Sequence, residues 1–235
     1  MAIEIEIPNS TSEYGSTFTV NHLNYNITSG ELLENDNLGV TLDYSAININ
    51  QMGNYNITLK DWSNKNYNIT NATIVKGTHR VTPISITIDI ENQTSVYGEY
   101  LNLDQTKFSI SGKMLAGDDL NIQLTTTALN SEVKTYPITA TYAQNNNYTV
   151  TINEGQYFVT KRPISLKTGN QTSMYGEQVI LNQNNYSITS GSFVFNDNQN
   201  ITLSTSATNK SIIGSYDINL NFSAIKNYDV TLEKE

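Results

Sequence analysis

The chain contains no cysteine, which removes disulfide scaffolds, thiolate zinc sites, iron–sulfur clusters and thiol nucleophiles together. Histidine is nearly as scarce. Only His22 and His79 occur, too few for a histidine metal cage or for most acid–base relays. Basic residues number 13 against 22 acidic ones, a net charge of −9, and that balance argues against a surface built for nucleic acid. No apolar run approaches the roughly 20 residues that cross a bilayer as a helix. Charged residues make up only 15% of the chain, well below the roughly one quarter usual in globular domains. These shortages point away from an enzyme, from metal or redox cofactors and from membrane insertion. They also leave the surface to neutral polar side chains, as suits a protein outside the cell.

What abounds is Asn (33), Thr (29), Ile (25) and Ser (21). β-Branched and small polar residues favour strands and turns over helices. The first strand is visible at once in the alternation Ile3-Glu4-Ile5-Glu6-Ile7. Met1-Ala2 runs straight into it with no secretory leader, and no anchor precedes Glu235, so the sequence reads as a monomeric segment cut from a longer protein.

A search for internal periodicity finds one motif three times: Asn9-Ser10-Thr11-Ser12-Glu13-Tyr14-Gly15, Asn92-Gln93-Thr94-Ser95-Val96-Tyr97-Gly98 and Asn170-Gln171-Thr172-Ser173-Met174-Tyr175-Gly176. An aromatic follows 11 residues after each motif tyrosine, at Tyr25, Phe108 and Tyr186, and a Ser-Gly comes shortly after it. An acidic residue lies 21 or 22 residues past the tyrosine, at Asp36, Asp118 and Asp197. Tyr55, Tyr136 and Tyr216 each open a Tyr-x-Ile pattern, and 12 residues later stand the pairs Asn66-Tyr67, Asn147-Tyr148 and Asn227-Tyr228. The constant spacings of 11 and 12 in all three copies mark three structural units, residues 1–82, 83–162 and 163–235.

Each unit reads as about seven short alternating segments separated by Gly, Asn, Asp and Ser clusters, a small β domain. A helical turn fits only between the Ser-Gly and the acidic residue, as in Glu31-Leu32-Leu33-Glu34 or Lys113-Met114-Leu115-Ala116, where adjacent apolar residues break the alternation. The junctions Thr82-Pro83 and Lys161-Arg162-Pro163 are short and proline-containing, which predicts restricted rather than freely jointed neighbours. The closing strand of unit 2 opens at Gly155, 7 residues after Tyr148; the same offset from Tyr228 falls on Glu235, so unit 3 is expected to lack its last strand and to leave a sheet edge unpaired.

The order N-[SQ]-T-S-x-Y-G, aromatic-x-Ile-x-Ser-Gly, Leu-x-x-x-Asp or Leu-x-Gly-Asp, Tyr-x-Ile and Asn-Tyr resembles the MBG repeats of the YGX type found in large bacterial surface proteins. Unit 2 matches best, through Ser111-Gly112-Lys113-Met114-Leu115-Ala116-Gly117-Asp118, Thr135-Tyr136-Pro137-Ile138 and Gly155-Gln156-Tyr157-Phe158-Val159. Units 1 and 3 lack the Gly before the acidic residue, and unit 1 has a longer closing stretch around Ala72 to Val81. The resemblance implies an extracellular, wall-attached bacterial protein acting as adhesin or stalk. It implies no catalytic residues.

The motif residues Tyr14, Gly15, Tyr97, Gly98, Tyr175 and Gly176, with Tyr67, Tyr148 and Tyr228, could display a stacking ring once per unit. A turn anchor is the better reading: ring packed, hydroxyl bonded to backbone, glycine supplying the unusual φ. Asp36, Asp118, Asp119 and Asp197 suit turns, and no D-x-[DN]-x-[DN]-G series supports calcium, so no cofactor is assigned. His22 stands where the other units have Gln105 and Gln183, His79 where nothing aligns; both read as surface histidines. Sequons such as Asn26, Asn56, Asn68, Asn92, Asn170 and Asn200 follow from composition. The Lys-to-Asn amide bonds of some Gram-positive surface domains find no support, since no lysine recurs in all three units. Trp62, the sole tryptophan, is read in the loop before Asn66-Tyr67, where the other copies have Ala143 and Ser223, and is the one candidate for a specific ligand contact.

The sequence therefore predicts three tandem mainly-β domains, β-grasp-like with at most a short helix each or immunoglobulin-like sandwiches, in an elongated array. The function read from it is a non-catalytic stalk of a cell-surface adhesin. The alternative is weak multivalent binding of host glycan, mucin or extracellular-matrix protein by the units themselves.

Overall fold

A computed structural model of the chain describes residues 1–198, 201–222 and 226–233. In chain order, repeat 1 contains β1 (Glu4–Glu6), β2 (Ser10–Glu13), β3 (Asn26–Ser29), β4 (Val40–Asp43), β5 (Gly53–Trp62), β6 (Ile74–Val75) and β7 (Gly77–Thr82). Repeat 2 contains β8 (Ile84–Ile90), β9 (Gln93–Val96), β10 (Phe108–Ser111), β11 (Gln123–Thr126), β12 (Lys134–Thr141), β13 (Tyr148–Asn153) and β14 (Gly155–Thr160). Repeat 3 contains β15 (Arg162–Thr168), β16 (Tyr186–Ser190), β17 (Thr202–Thr205), β18 (Ile218–Asn221) and β19 (Tyr228–Glu233). The fold is mainly β.

The chain forms two compact units that do not follow the sequence repeats. The first comprises Met1–Ile88, Ile110–Ile122 and Tyr142–Ile152; the second comprises Asp89–Ser109, Gln123–Thr141 and Asn153–Glu235. In the first, β1 lies between antiparallel β3 and parallel β6, and a second sheet runs β2–β7–β5–β4. The alternation of the first strand places Ile3, Ile5 and Ile7 inward, against Val40 and Leu42 of β4 and Ile57 of β5, while Glu4 and Glu6 face solvent. The core of repeat 1 is thus filled from both sheets. Each fully buried isoleucine contributes about 1.5–3 kcal/mol of transfer free energy.

The second unit repeats the pattern. Its four-stranded sheet runs β9–β14–β12–β11, with β9 parallel to β14 and the remaining pairs antiparallel. Strand β15 lies between antiparallel β16 and parallel β19. Strands β17 and β18 pair with each other in a two-stranded sheet. Residues 170–175, the counterpart of β2 and β9, form no strand. The reason is local: β2 and β9 are held by parallel pairing to β7 and β14, and among the described residues this segment has no such partner.

Three local expectations change. The stretches 31–34 and 113–116 are not helical; each belongs to a turn in which the Asp N–H donates to the carbonyl three residues back, Asp36 to Leu33 at 2.9 Å and Asp118 to Leu115 at 3.1 Å. A left-handed residue precedes each acid, Asn35 at φ 68°, Gly117 at 94° and Asn196 at 60°, and this breaks the helical path. Asn tolerates that conformation, which is how repeats 1 and 3 manage without the glycine. A short 3-10 turn occurs elsewhere, at Asn71–Thr73. Trp62 is no loop residue; it ends β5, paired with Val40.

His79 is not a surface residue either. It sits on the inward face of β7 at 1% exposure, between the Ser10 and Ser12 hydroxyls at 2.8 Å each, with the Phe18 ring edge-on. Its counterpart on β14 is Tyr157, equally buried. Desolvation holds the imidazole pKa below the ordinary 6.5, so the fold keeps the ring neutral while the unfolded chain takes up a proton. Stability from this neutral ring is complete above about pH 6.5 and lost as pH falls toward the lower folded-state value. Melting temperature should therefore drop between about pH 7 and 5 more steeply for the native chain than for His79→Tyr. Parallel slopes would contradict this.

Candidate functional site

The motif tyrosines converge on the turn acids of the following repeat. The Tyr14 backbone N–H is fixed by the Thr82 carbonyl at 2.9 Å, which aims the side chain out of repeat 1. The ring enters a core cluster with Val81 and with Ile84, Ile86, Leu120 and Tyr148 of repeat 2. Its hydroxyl donates to Asp118 Oδ2 at 3.1 Å, and the Tyr148 hydroxyl donates to the same oxygen at 2.5 Å. The Leu115 N–H donates to the Tyr148 hydroxyl at 3.0 Å, and the two rings meet edge to face at 5.8 Å.

The same arrangement recurs in the second unit. Tyr97 is anchored by the Thr160 carbonyl at 2.9 Å and donates to Asp197 Oδ2 at 2.9 Å; Tyr228 donates to that oxygen at 2.7 Å and accepts from the Val194 N–H at 3.0 Å. The rings lie edge to face at 5.6 Å. The Asn147 and Asn227 side chains, first members of the Asn-Tyr pairs, act on the Tyr14 and Tyr97 hydroxyls in the opposite sense to the acids, lowering their pKa. Each latch is one carboxylate oxygen shared by two phenols, one from each of two consecutive repeats.

The motif glycine has a steric task here. Gly15 and Gly98 adopt φ of 63° and 79°, and a Cβ on either would collide with the Leu115 or the Val194 side chain of the next repeat. The glycine thus lets the two chains close around the tyrosine. Arg162, which no recurring motif marks, reinforces the second latch by donating to the Tyr97 carbonyl at 3.3 Å and to the Ser192 carbonyl at 3.0 Å.

The remaining candidate residues stand apart. Tyr67 donates to Asp36 at 2.8 Å and accepts from the Leu33 N–H at 2.8 Å, the latch geometry with a single tyrosine. Tyr175 is 73% exposed, and nothing lies within 4 Å of a Cβ placed on Gly176. The indole N–H of Trp62 donates to the Tyr67 carbonyl at 3.0 Å, its ring packs against the core of repeat 1, and the Lys65 ammonium lies 4.1 Å from the ring centre. His22 and its counterparts Gln105 and Gln183 share one role: each accepts the N–H of the inward leucine of the next strand, Leu42, Leu124 or Leu203. Asn200 and Ser223 lie outside the described residues.

For Tyr14 and Tyr97 the expectation that the hydroxyl bonds to backbone is corrected, since both donate to carboxylates. Tyr67, Tyr148 and Tyr228 each accept a backbone N–H as expected and also donate to an acid, so the motif acids, read as turn formers, are acceptors as well. Asp119 keeps a turn role, accepting the Asn121 N–H at 2.8 Å. Among the described residues no three His, Asp or Glu side chains converge as a metal-ligand set, and no helix is long and apolar enough to cross a membrane.

Burial, reinforced by the neighbouring Asp118 or Asp197, raises the pKa of Tyr14, Tyr97, Tyr148 and Tyr228, the last to about 12. In the unfolded chain a tyrosine ionises near ~10. These groups therefore stabilise the fold fully below about pH 10, and the contribution is lost as pH rises through the folded-state values. Phenolate absorbance against pH should show a late phase coinciding with loss of near-ultraviolet circular dichroism, and Tyr228→Phe should diminish it. Complete ionisation of all tyrosines near pH ~10 with tertiary structure intact would contradict the latch geometry.

A search of curated proteins finds no match. The family model described as MBG domain (YGX type) matches residues 86–158 and 164–235, more than half of the chain and the region holding the second latch. The chain belongs to the MBG domain family of the YGX type.

Proposed function

We propose that this chain is a non-catalytic spacer, a tandem-repeat segment of a wall-attached bacterial surface adhesin that holds a binding region away from the cell. The observation that carries the reading is the twofold occurrence of the tyrosine–carboxylate–tyrosine latch. The recurring residues Tyr14, Asp118 and Tyr148, and again Tyr97, Asp197 and Tyr228, join one repeat to the next, a requirement of a tethering array and not of a ligand pocket. We read three consecutive domains, 1–82, 83–162 and 163–235, and the two-sided core of repeat 1 favours sandwiches over a single grasp-like sheet.

The distribution of tyrosines supports the spacer over a lectin. Of 15, seven are buried and four are exposed, and one of the exposed four is Tyr175 of the motif. A surface depression lined by Thr135, Tyr136, Pro137, Glu154, Gly155 and Gln156 offers no ring for stacking, because Tyr136 is buried. Trp62 spends its N–H on the backbone and carries Lys65 beside its ring.

A glycan and mucin array probed with this chain and with Trp62→Ala separates the two readings. The spacer predicts no saturable binding by either protein, even with the chain displayed in many copies on a bead, where an avidity gain of about 10²–10⁴ would bring a millimolar site into range. Saturable binding lost in Trp62→Ala would replace the spacer with an adhesive module centred on repeat 1.

A further inference from the structure

Two latches are closed within this chain, and one half of a further latch is displayed in each of repeats 1 and 3. In repeat 1 the acceptor half is assembled but empty of its second tyrosine: Asp36 and Tyr67 are hydrogen-bonded, and Leu33 N–H is bonded to the Tyr67 hydroxyl, as Leu115 is to Tyr148. The surrounding side chains show what is missing. Leu33 is 65% exposed whereas its counterparts Leu115 and Val194 are half-buried; Asp36 and Asn66 are exposed whereas Asp118, Asp197, Asn147 and Asn227 are at least partly covered. In repeat 3 the donor half is displayed: Tyr175 is 73% exposed where Tyr14 is 9% and Tyr97 is 3%. The glycine turn of the motif is kept, with Gly176 at φ 88° and its N–H on the Asn209 carbonyl at 3.0 Å, as Gly98 N–H is on Asn130 at 2.8 Å.

We infer that the displayed halves are complementary, so that Tyr175-Gly176 of one copy docks into the Asp36–Tyr67–Leu33 socket of a second copy of this chain. The occupant is specified by the two closed examples. Each buries a Tyr-Gly against a Leu or Val side chain and shares one carboxylate oxygen between two phenols, and each of these groups has its counterpart in the displayed halves. The contact joins unlike surfaces, so it is heterologous and leaves a donor and an acceptor free after every addition. Inside the chain the latch closes at the high effective concentration set by the peptide link; between copies that advantage is gone, and the dissociation constant should be on the order of 0.1–1 mM.

The test is sedimentation equilibrium from about 10 µM to 1 mM, the range that brackets such an affinity. The native chain should show average mass rising with concentration. Tyr175→Ala removes the donor and Leu33→Asp spoils the acceptor; both sites are exposed, and unchanged circular dichroism and melting temperature confirm that the variants fold. Each variant alone should associate at least ~tenfold more weakly, the loss of one buried contact. An equimolar mixture should recover association and stop at a 1:1 dimer, because Tyr175→Ala retains the socket and Leu33→Asp the tyrosine. Monomer at every concentration of the native chain would overturn the inference. So would undiminished association of either variant alone, which would mean like surfaces meeting or contacts elsewhere.

Discussion

One carboxylate oxygen accepting two phenols from two different repeats is the interaction on which the joining of repeats depends. A hydrogen bond to a charged acceptor is worth about 1.5–3 kcal/mol net, and more is lost when a partly buried carboxylate is left with an unfilled site. Here the acceptor cannot be satisfied fully by its own repeat. Asp118 and Asp197 each gain one phenol from the Asn-Tyr tyrosine behind them and the second from the Tyr-Gly of the preceding repeat. The rings also fill hydrophobic space, so the contact combines apolar burial with a directional polar element that sets the register.

Placing the joint inside a core explains why the compact units do not coincide with the sequence repeats. Tyr14 belongs to repeat 1 by sequence and to a cluster of repeat 2 isoleucines by packing. The closing strands β7 and β14 serve the same end: they hold β2 and β9 in parallel pairing and their last carbonyls, Thr82 and Thr160, fix the tyrosine backbone. Sheet completion and joint formation are therefore linked. In repeat 3 the segment bearing Tyr175 has neither the strand nor the buried ring.

Much of this could be read from the sequence. The alternation in Ile3 to Ile7 gave strand and inward face together, and the recurring spacings marked the tyrosines and the acids of the latch. The pairing itself could not be read, because a tyrosine and an acid that recur with one spacing are equally consistent with partners in the same repeat or in adjacent ones. Expecting the hydroxyls to seek backbone assigned each motif to a turn within its own unit. The turns at Asn35, Gly117 and Asn196 were hidden for a different reason: adjacent apolar residues suggested a helix, and the left-handed residue that forbids it is Asn in two copies out of three. His79 was obscured by its lack of a histidine counterpart, since an imidazole and the Tyr157 phenol fill the same inward position of β7 and β14 with unlike side chains. His22 shows the converse, a chemical substitution that preserves function, with a ring nitrogen replacing the amide oxygen of Gln105 and Gln183.

The central claim is that the Tyr97 hydroxyl and the Asp197 carboxylate of adjacent repeats are energetically coupled. A double-mutant cycle with Tyr97→Phe and Asp197→Ala, read by chemical denaturation, measures that coupling directly. The account predicts an interaction energy of at least about 1.5 kcal/mol, the lower end for a hydrogen bond to a charged group. Additive effects of the two substitutions, within roughly 0.3 kcal/mol, would contradict it.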